Sequence, residues 1–142
     1  MALRIVQWNT GIVGAAGVRA IAEHPRLELV GCYAWSEDKV GRDAGELAGT
    51  VKLGVEATRD VDALLGLRPD CILYTPQFPD VDHLVAMLEA GIDVVSTSYF
   101  ITGRSYGEAD LARLDAAAKR GGASLHGTGI NPGFANLFAL LS

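Results

Sequence analysis

The chain has 142 residues, 49% hydrophobic and 20% charged, with 17 glycines spread along it. That is enough apolar side chain for one core, and it excludes disordered and collagen-like compositions. A formal net charge of −5 argues against a broad nucleic-acid footprint, which needs a basic face to displace counterions. Cys32 and Cys71 each lie in an apolar run without a CxxC pair and read as buried free thiols. The opening apolar stretch, 3–8, is too short for a signal-peptide core. No segment has the roughly 20 apolar residues that a membrane span requires, so no membrane partner and a cytoplasmic location are expected.

In chain order, Arg4–Trp8 is rich in strand formers and runs into a glycine-bearing turn, which predicts the first strand. Ala15, Val18, Ile21 and Ala22 share one face at helical spacing, so a helix is expected from Gly14 to His24, stopped by Pro25. Leu27–Ala34 is the second strand. The rhythm continues with a helix at Asp60–Leu67, a strand at Cys71–Tyr74, a helix at Asp80–Ala90 and a strand at Ile92–Ser96. Gly91 falls where a left-handed helix end favours glycine. A helix at Glu108–Arg120 carries Leu111 and Leu114 on one face and closes on Gly121-Gly122, ahead of a last strand at Ala123–Leu125. Strands alternating with helices imply parallel pairing through right-handed crossovers. The expected fold is α/β, a doubly wound parallel sheet of about six strands with helices on both faces.

The first turn, Asn9-Thr10-Gly11-Ile12-Val13-Gly14, is the fingerprint GxGxxG with asparagine in the place of the first glycine. Asparagine tolerates left-handed backbone geometry, so the tight turn survives. Gly11 lets a pyrophosphate approach the backbone, and Gly14 lets the helix pack on the strand. Ile12 and Val13 would lend amides rather than side chains. A glycine turn can serve packing alone, but this one lies between the first strand and first helix of a βαβ unit, the setting the fingerprint requires. Gly17 is read as a close helix–sheet contact.

A site for NAD usually carries an acid at the tip of the second strand, roughly 20 residues beyond the turn. Here that tip reads Ala34-Trp35-Ser36, with Glu37 and Asp38 just beyond. Ser36, Lys39 and Arg42 are suited to a 2′-phosphate, which favours NADP over NAD; the alternative is that Lys39 and Arg42 are ordinary solvated charges. Ligands gather at the carboxyl ends of parallel strands, and the later tips are small and polar: Tyr74-Thr75-Pro76, Ser96-Thr97-Ser98, and His126-Gly127-Thr128-Gly129-Ile130-Asn131-Pro132-Gly133. His126 invites a catalytic reading, but without a named partner a structural one is preferred. His24 and His83 lie in predicted helices without a supporting pattern. No catalytic triad, paired carboxylates or metal cluster can be assembled, so the catalytic residues stay unknown.

These residues resemble the dihydrodipicolinate reductase-like oxidoreductases, in particular the branch that includes 2,4-diaminopentanoate dehydrogenase. The resemblance rests on Val6-Gln-Trp8 with Thr10-Gly11 and Gly14, on His24-Pro25 and Leu27-Glu-Leu-Val-Gly31, on Lys39-Val-Gly41-Arg42-Asp43-Ala-Gly45, and on Gly127-Thr-Gly129-Ile-Asn131-Pro-Gly133-Phe134. It implies a Rossmann-type domain at 1–130 that binds NAD(P)H, with 131–142 starting the crossover toward an α+β domain that holds most substrate groups and dimer contacts. It further implies hydride transfer at a C=N or C–NH2 centre of a small amino- or imino-acid-like substrate in the complete protein. The pyrophosphate falls to Thr10, Gly11, Ile12, Val13 and Gly14, the adenine ribose to Ser36 and its neighbours Lys39 and Arg42, and the nicotinamide to Thr75, Pro76, Thr97 and Thr128. Ala15 departs from the arginine that relatives often have there. The competing expectation is a non-catalytic nucleotide-binding or redox-sensing module for NAD(P) or CoA. Leu137, Phe138, Leu140 and Leu141 form an apolar segment expected to support a homo-oligomer or another partner surface.

Overall fold

The run Leu3–Trp8 passes from an exposed Leu3 and a half-buried Arg4 to four buried residues, and it forms the strand β1 around which the rest is laid. The structure, a computed structural model, describes residues 1–98, 104–129 and 139–140. They fall into two compact units, Met1–Pro76 and Gln77–Ser142. The first holds β1, α1 (Ile12–Glu23), β2 (Leu27–Tyr33), α2 (Ala44–Leu47), β3 (Ala57–Thr58), α3 (Val61–Gly66) and β4 (Cys71–Tyr74). The second holds α4 (Val81–Glu89), β5 (Asp93–Ser96), a 3-10 turn at Arg104–Tyr106, α5 (Glu108–Gly121) and β6 (Leu125–Gly127). The strands form one six-stranded sheet in the order β3-β2-β1-β4-β5-β6, the doubly wound α/β arrangement expected from the alternation.

Within the first unit, β1 pairs in parallel with β2 on one side and β4 on the other, so Trp8 lies level with Tyr33 and Tyr74. The Trp8 and Tyr33 rings stack at 4.3 Å between centroids, and Trp8 and Tyr74 at 6.5 Å. This aromatic row supports the strand ends that carry the first turn. Neighbouring residues of β1 point to opposite faces. Val6 lies with Gly31 under Leu64 and Leu67 from α3 and its end, whereas Gln7 lies beneath Gly17 of α1. Helices thus cover both faces of this unit's sheet. Val18, Cys32, Ala34, Ala44, Ala48 and Ala57 form a buried cluster, with Ala15, Leu29, Leu47, Leu53 and Val55 packed against it.

In the second unit, Leu84, Met87 and Leu88 of α4 and Leu114 and Ala117 of α5 are buried. Exposed ion pairs from Arg113 to Asp82 and from Arg120 to Glu89 link the same two helices. Such pairs add little stability, so apolar packing holds α4 to α5.

Several boundaries differ from the sequence expectation for local reasons. Helix α1 begins at Ile12, not Gly14, because Ile12 and Val13 are exposed and so gave no apolar periodicity. Asp60 and Asp80 stand outside their helices as caps, each accepting from an amide of the first turn. The last strand is Leu125–Gly127 rather than Ala123–Leu125. Gly122 is left-handed at φ 64°, and the Ala123 amide still donates to Ala118, which leaves that residue in the helix cap. Gly91 takes the expected left-handed form at φ 76°. The short α2 and β3 had no periodic signal. Cys32 is buried as expected, but Cys71 is only half-buried; neither forms a disulfide. The expected crossover at 131–142 lies outside the described residues except for 139–140, as do Asn131–Phe134 and three members of the apolar segment, Leu137, Phe138 and Leu141. Among the described residues, no helix is long and apolar enough to cross a membrane.

Candidate functional site

β1 lies between β2 and β4, so the carboxyl ends of β1 and β4 are neighbours, the place where ligands of open parallel sheets gather. The turn 9–14 and Thr75 occupy those two ends. Asn9 is left-handed at φ 74°, the geometry its side chain tolerates. Its carbonyl oxygen would lie 2.0 Å from a Cβ placed on Gly14, so the first turn of α1 rests directly on the turn's backbone. Gly17 likewise admits no side chain freely, since its Cβ would meet Gln7 Oε1 at 2.5 Å and Leu73 Cδ2 at 2.8 Å. Gly11 is different. It has φ −70° and nothing among the described residues within 4 Å of a Cβ position, so their packing does not demand glycine there.

Helix α1 starts without a capping side chain and without an acid in its first turn. In contrast, α2, α3 and α4 are capped by Asp43, Asp60 and Asp80, and α5 carries Glu108 and Asp110 in its first turn. The positive end of α1 is therefore not offset by a side chain of its own cap or first turn. The Thr10 hydroxyl is buried beside it with no hydrogen-bond partner among the described residues. Ile12 and Val13 expose their side chains.

The loop after β2 turns back toward this point. Ser36 is half-buried and its carbonyl accepts from the Lys39 amide. Lys39 donates from Nζ to the Thr10 carbonyl at 3.3 Å, a long bond that joins the loop to the glycine turn. Arg42 is exposed. Glu37, the first acid past the strand tip, pairs outward with Arg59 at 3.5 Å. Ala15 packs against the core cluster, so the departure from arginine leaves no side-chain contact to phosphate at that position.

No protein-family model matches the chain. An amine dehydrogenase of Streptomyces virginiae is 36% identical over 139 residues, which cover 92% of this chain and 39% of that protein. A 4-hydroxy-tetrahydrodipicolinate reductase of Alkalilimnicola ehrlichii is 38% identical over 114 residues, 75% of this chain and 41% of the relative. Among solved structures, the amine dehydrogenase from Mycobacterium smegmatis superposes with a TM-score of 0.81 at 30% identity, covering 91% of this chain and 40% of that one. The chain is a dihydrodipicolinate reductase-like domain. It spans about two fifths of the length of the relatives it matches.

In this dihydrodipicolinate reductase-like domain the second unit holds its polar strand tips by internal bonds. Ser96 and Ser98 are buried, the Ser98 amide donates to Ser96 Oγ at 3.0 Å, and Tyr106 donates its hydroxyl to the Ser98 carbonyl at 3.1 Å. Thr97 is half-buried and Thr128 exposed, with the Thr128 amide on the Ser96 carbonyl at 2.8 Å. His126 is an exposed residue of β6. Among the described residues no cluster of His, Cys, Asp or Glu is suited to a metal ion.

Two residues of the domain escaped the sequence reading of the site. Gln7 is fully buried at the end of β1 and reaches Thr75 and the turn; the available signal was an amide inside an apolar strand just ahead of the glycine turn. Asp43, inside the block shared with the family, organises the loop that carries Arg42. Its carboxylate accepts from the amides of Gly45, Leu53 and Gly54 at 2.8–2.9 Å, and more weakly from Glu46. The Leu53 amide foremost, then those of Gly54, Gly45 and Glu46, hold the Asp43 carboxyl below the usual carboxylate range against the opposing effect of burial. Cys32, beneath this loop, is pushed up to about 12 by burial, which marks it as a packing thiol rather than a nucleophile.

Proposed function

We propose that this domain binds a nicotinamide dinucleotide, with the pyrophosphate on the N-terminus of α1 and the adenosine end toward the loop 36–42. The observation that carries the reading is the start of α1: uncapped, free of acid, and preceded by a Gly11 whose Cβ space is open. A buried Thr10 hydroxyl beside it, without a partner among the described residues, fits a ligand oxygen. The amides of Gly11, Ile12, Val13 and Gly14 would hold the anion, as helix starts do for phosphates. The relatives' names, amine dehydrogenase and 4-hydroxy-tetrahydrodipicolinate reductase, agree with this class.

NADP is preferred over NAD. Glu37, the acid closest past the strand tip, is turned to Arg59, while Lys39 reaches the turn and Ser36 and Arg42 flank it. Lys39 would exchange its long bond to Thr10 for charge-assisted bonds to a 2′-phosphate. The family likeness gives Thr75, Thr97 and Thr128, with Pro76 beside them, to the nicotinamide end, although the Thr75 hydroxyl is bonded to the Trp8 carbonyl. When bound, the nicotinamide supplies or accepts a hydride; the residues described here bind and orient the cofactor. In the whole protein, the same likeness supports oxidoreduction at a C=N or C–NH2 centre of a small amino- or imino-acid-like substrate.

Calorimetric titration tests the reading. Saturable one-to-one binding of NADPH is expected, with NADH at least about ten-fold weaker, since one charge-assisted contact set separates them. Absence of heat with both nucleotides would overturn the proposal, and tighter NADH binding would overturn the preference for NADP.

A further inference from the structure

We infer that Thr75 and Gln7 are a positioning pair that sets the pyrophosphate-binding turn, and that Thr75 does not serve as a contact to the nicotinamide. The inference rests on the dinucleotide reading above but makes a separate claim about how the turn is held. Gln7 is fully buried, and its Nε2 donates its two protons to the Asn9 carbonyl and to Thr75 Oγ1, each at 2.9 Å, with the Trp8 carbonyl a longer contact at 3.4 Å. Three oxygens around one atom assign that atom as the amide nitrogen. Thr75 is fastened to the same place: its amide donates to the Trp8 carbonyl at 3.1 Å, and its hydroxyl donates to that carbonyl at 2.9 Å. A hydroxyl has one proton, so the Thr75 donor is already used within the chain.

The consequence runs through Asn9. Its carbonyl oxygen, held by Gln7, is the atom that lies against Gly14 at the start of α1. Displacing that oxygen moves the helix start and the amides of Gly11–Gly14 together. The arrangement has a cost, because Gln7 Oε1 is buried without a partner among the described residues and Gly17 must remain small to admit the side chain. An apolar residue would fill the space without stranding an acceptor, so the amide is accounted for by what its nitrogen holds.

The test compares two ligands that share a pyrophosphate and differ in the nicotinamide: NADPH and 2′-phospho-ADP-ribose. Titrated well below the variant's melting midpoint, Thr75→Val should weaken both by the same factor, about ten-fold for one lost hydrogen bond. Thr75→Ser should restore both, because its hydroxyl can make the same two bonds. A loss confined to NADPH would make Thr75 a nicotinamide contact and overturn the inference. Unchanged affinity for both ligands would overturn it as well. Amide NMR of the free domain gives an independent readout: Thr75→Val should shift the Gly11–Gly14 resonances and Thr75→Ser should return them, and unmoved resonances would refute the positioning role. If the wild-type domain bound neither ligand, the dinucleotide reading would fall, while the NMR comparison would still decide how the turn is held.

Discussion

Gly11 and Gly14 belong to one fingerprint, yet the structure separates their roles, and paired alanine variants expose the difference. In Gly14→Ala the new Cβ would lie 2.0 Å from the Asn9 carbonyl oxygen and 2.8 Å from its carbon, where real contacts stay beyond 3.0 Å, so backbone must move. Overpacking of this kind costs about 3 kcal/mol, which for a chain of this size lowers the melting midpoint by roughly 10 °C. In Gly11→Ala nothing lies within 4 Å of the added atom. Alanine is the poorer helix cap by about 0.5–1 kcal/mol, but it restricts the unfolded chain by a similar amount, so the midpoint should stay within about 4 °C of wild type. The same methyl would stand where the pyrophosphate approaches, and NADPH affinity should fall at least about 100-fold, near 2.7 kcal/mol. Thermal unfolding and calorimetric titration of the two variants check both halves. If Gly11→Ala bound NADPH within about three-fold of wild type, or Gly14→Ala melted with it, the assignment of one glycine to ligand and the other to packing would be wrong.

Lys39→Ala should weaken NADPH by about ten-fold and leave NADH almost unchanged; an equal loss for both nucleotides would remove Lys39 from the 2′-phosphate. Gly17→Ala meets the ends of side chains rather than backbone, Gln7 Oε1 at 2.5 Å and Leu73 Cδ2 at 2.8 Å, so it should destabilise by about 1–3 kcal/mol without unfolding the domain, as read from urea midpoints. Asp43→Asn should cost about 1–2 kcal/mol at pH 7 through weakened bonds to the loop amides. Because the folded state holds the Asp43 carboxyl below its unfolded value, its contribution is complete above the ordinary carboxylate range and fades as pH falls through the depressed value. Urea unfolding of wild type and variant should therefore converge as the pH is taken below about 4; a gap independent of pH would show that the charge of Asp43 is irrelevant.

Much of the domain is legible in the chain itself. Strand and helix alternation points to the α/β class, because adjacent parallel strands need a crossover and the intervening helices supply it. The turn Asn9–Gly14 is readable because glycine and asparagine are the residues that tolerate its backbone, and Asn9 does adopt φ 74°. Local chemistry could not show which glycine packs and which leaves room. That depends on the Asn9 oxygen meeting Gly14, and on nothing meeting Gly11, distances that exist only once α1 lies on β1. Nor could it show that Gln7 and Thr75, 68 positions apart, share a hydrogen bond, or that Asp43 gathers amides from a loop ten residues on. The sequence by itself determined the order of elements and the kind of turn, because both follow from periodicity and backbone preference. Tertiary structure decided what each residue of that turn touches, because the sheet order β2-β1-β4 brings the ends of separate strands together at one place.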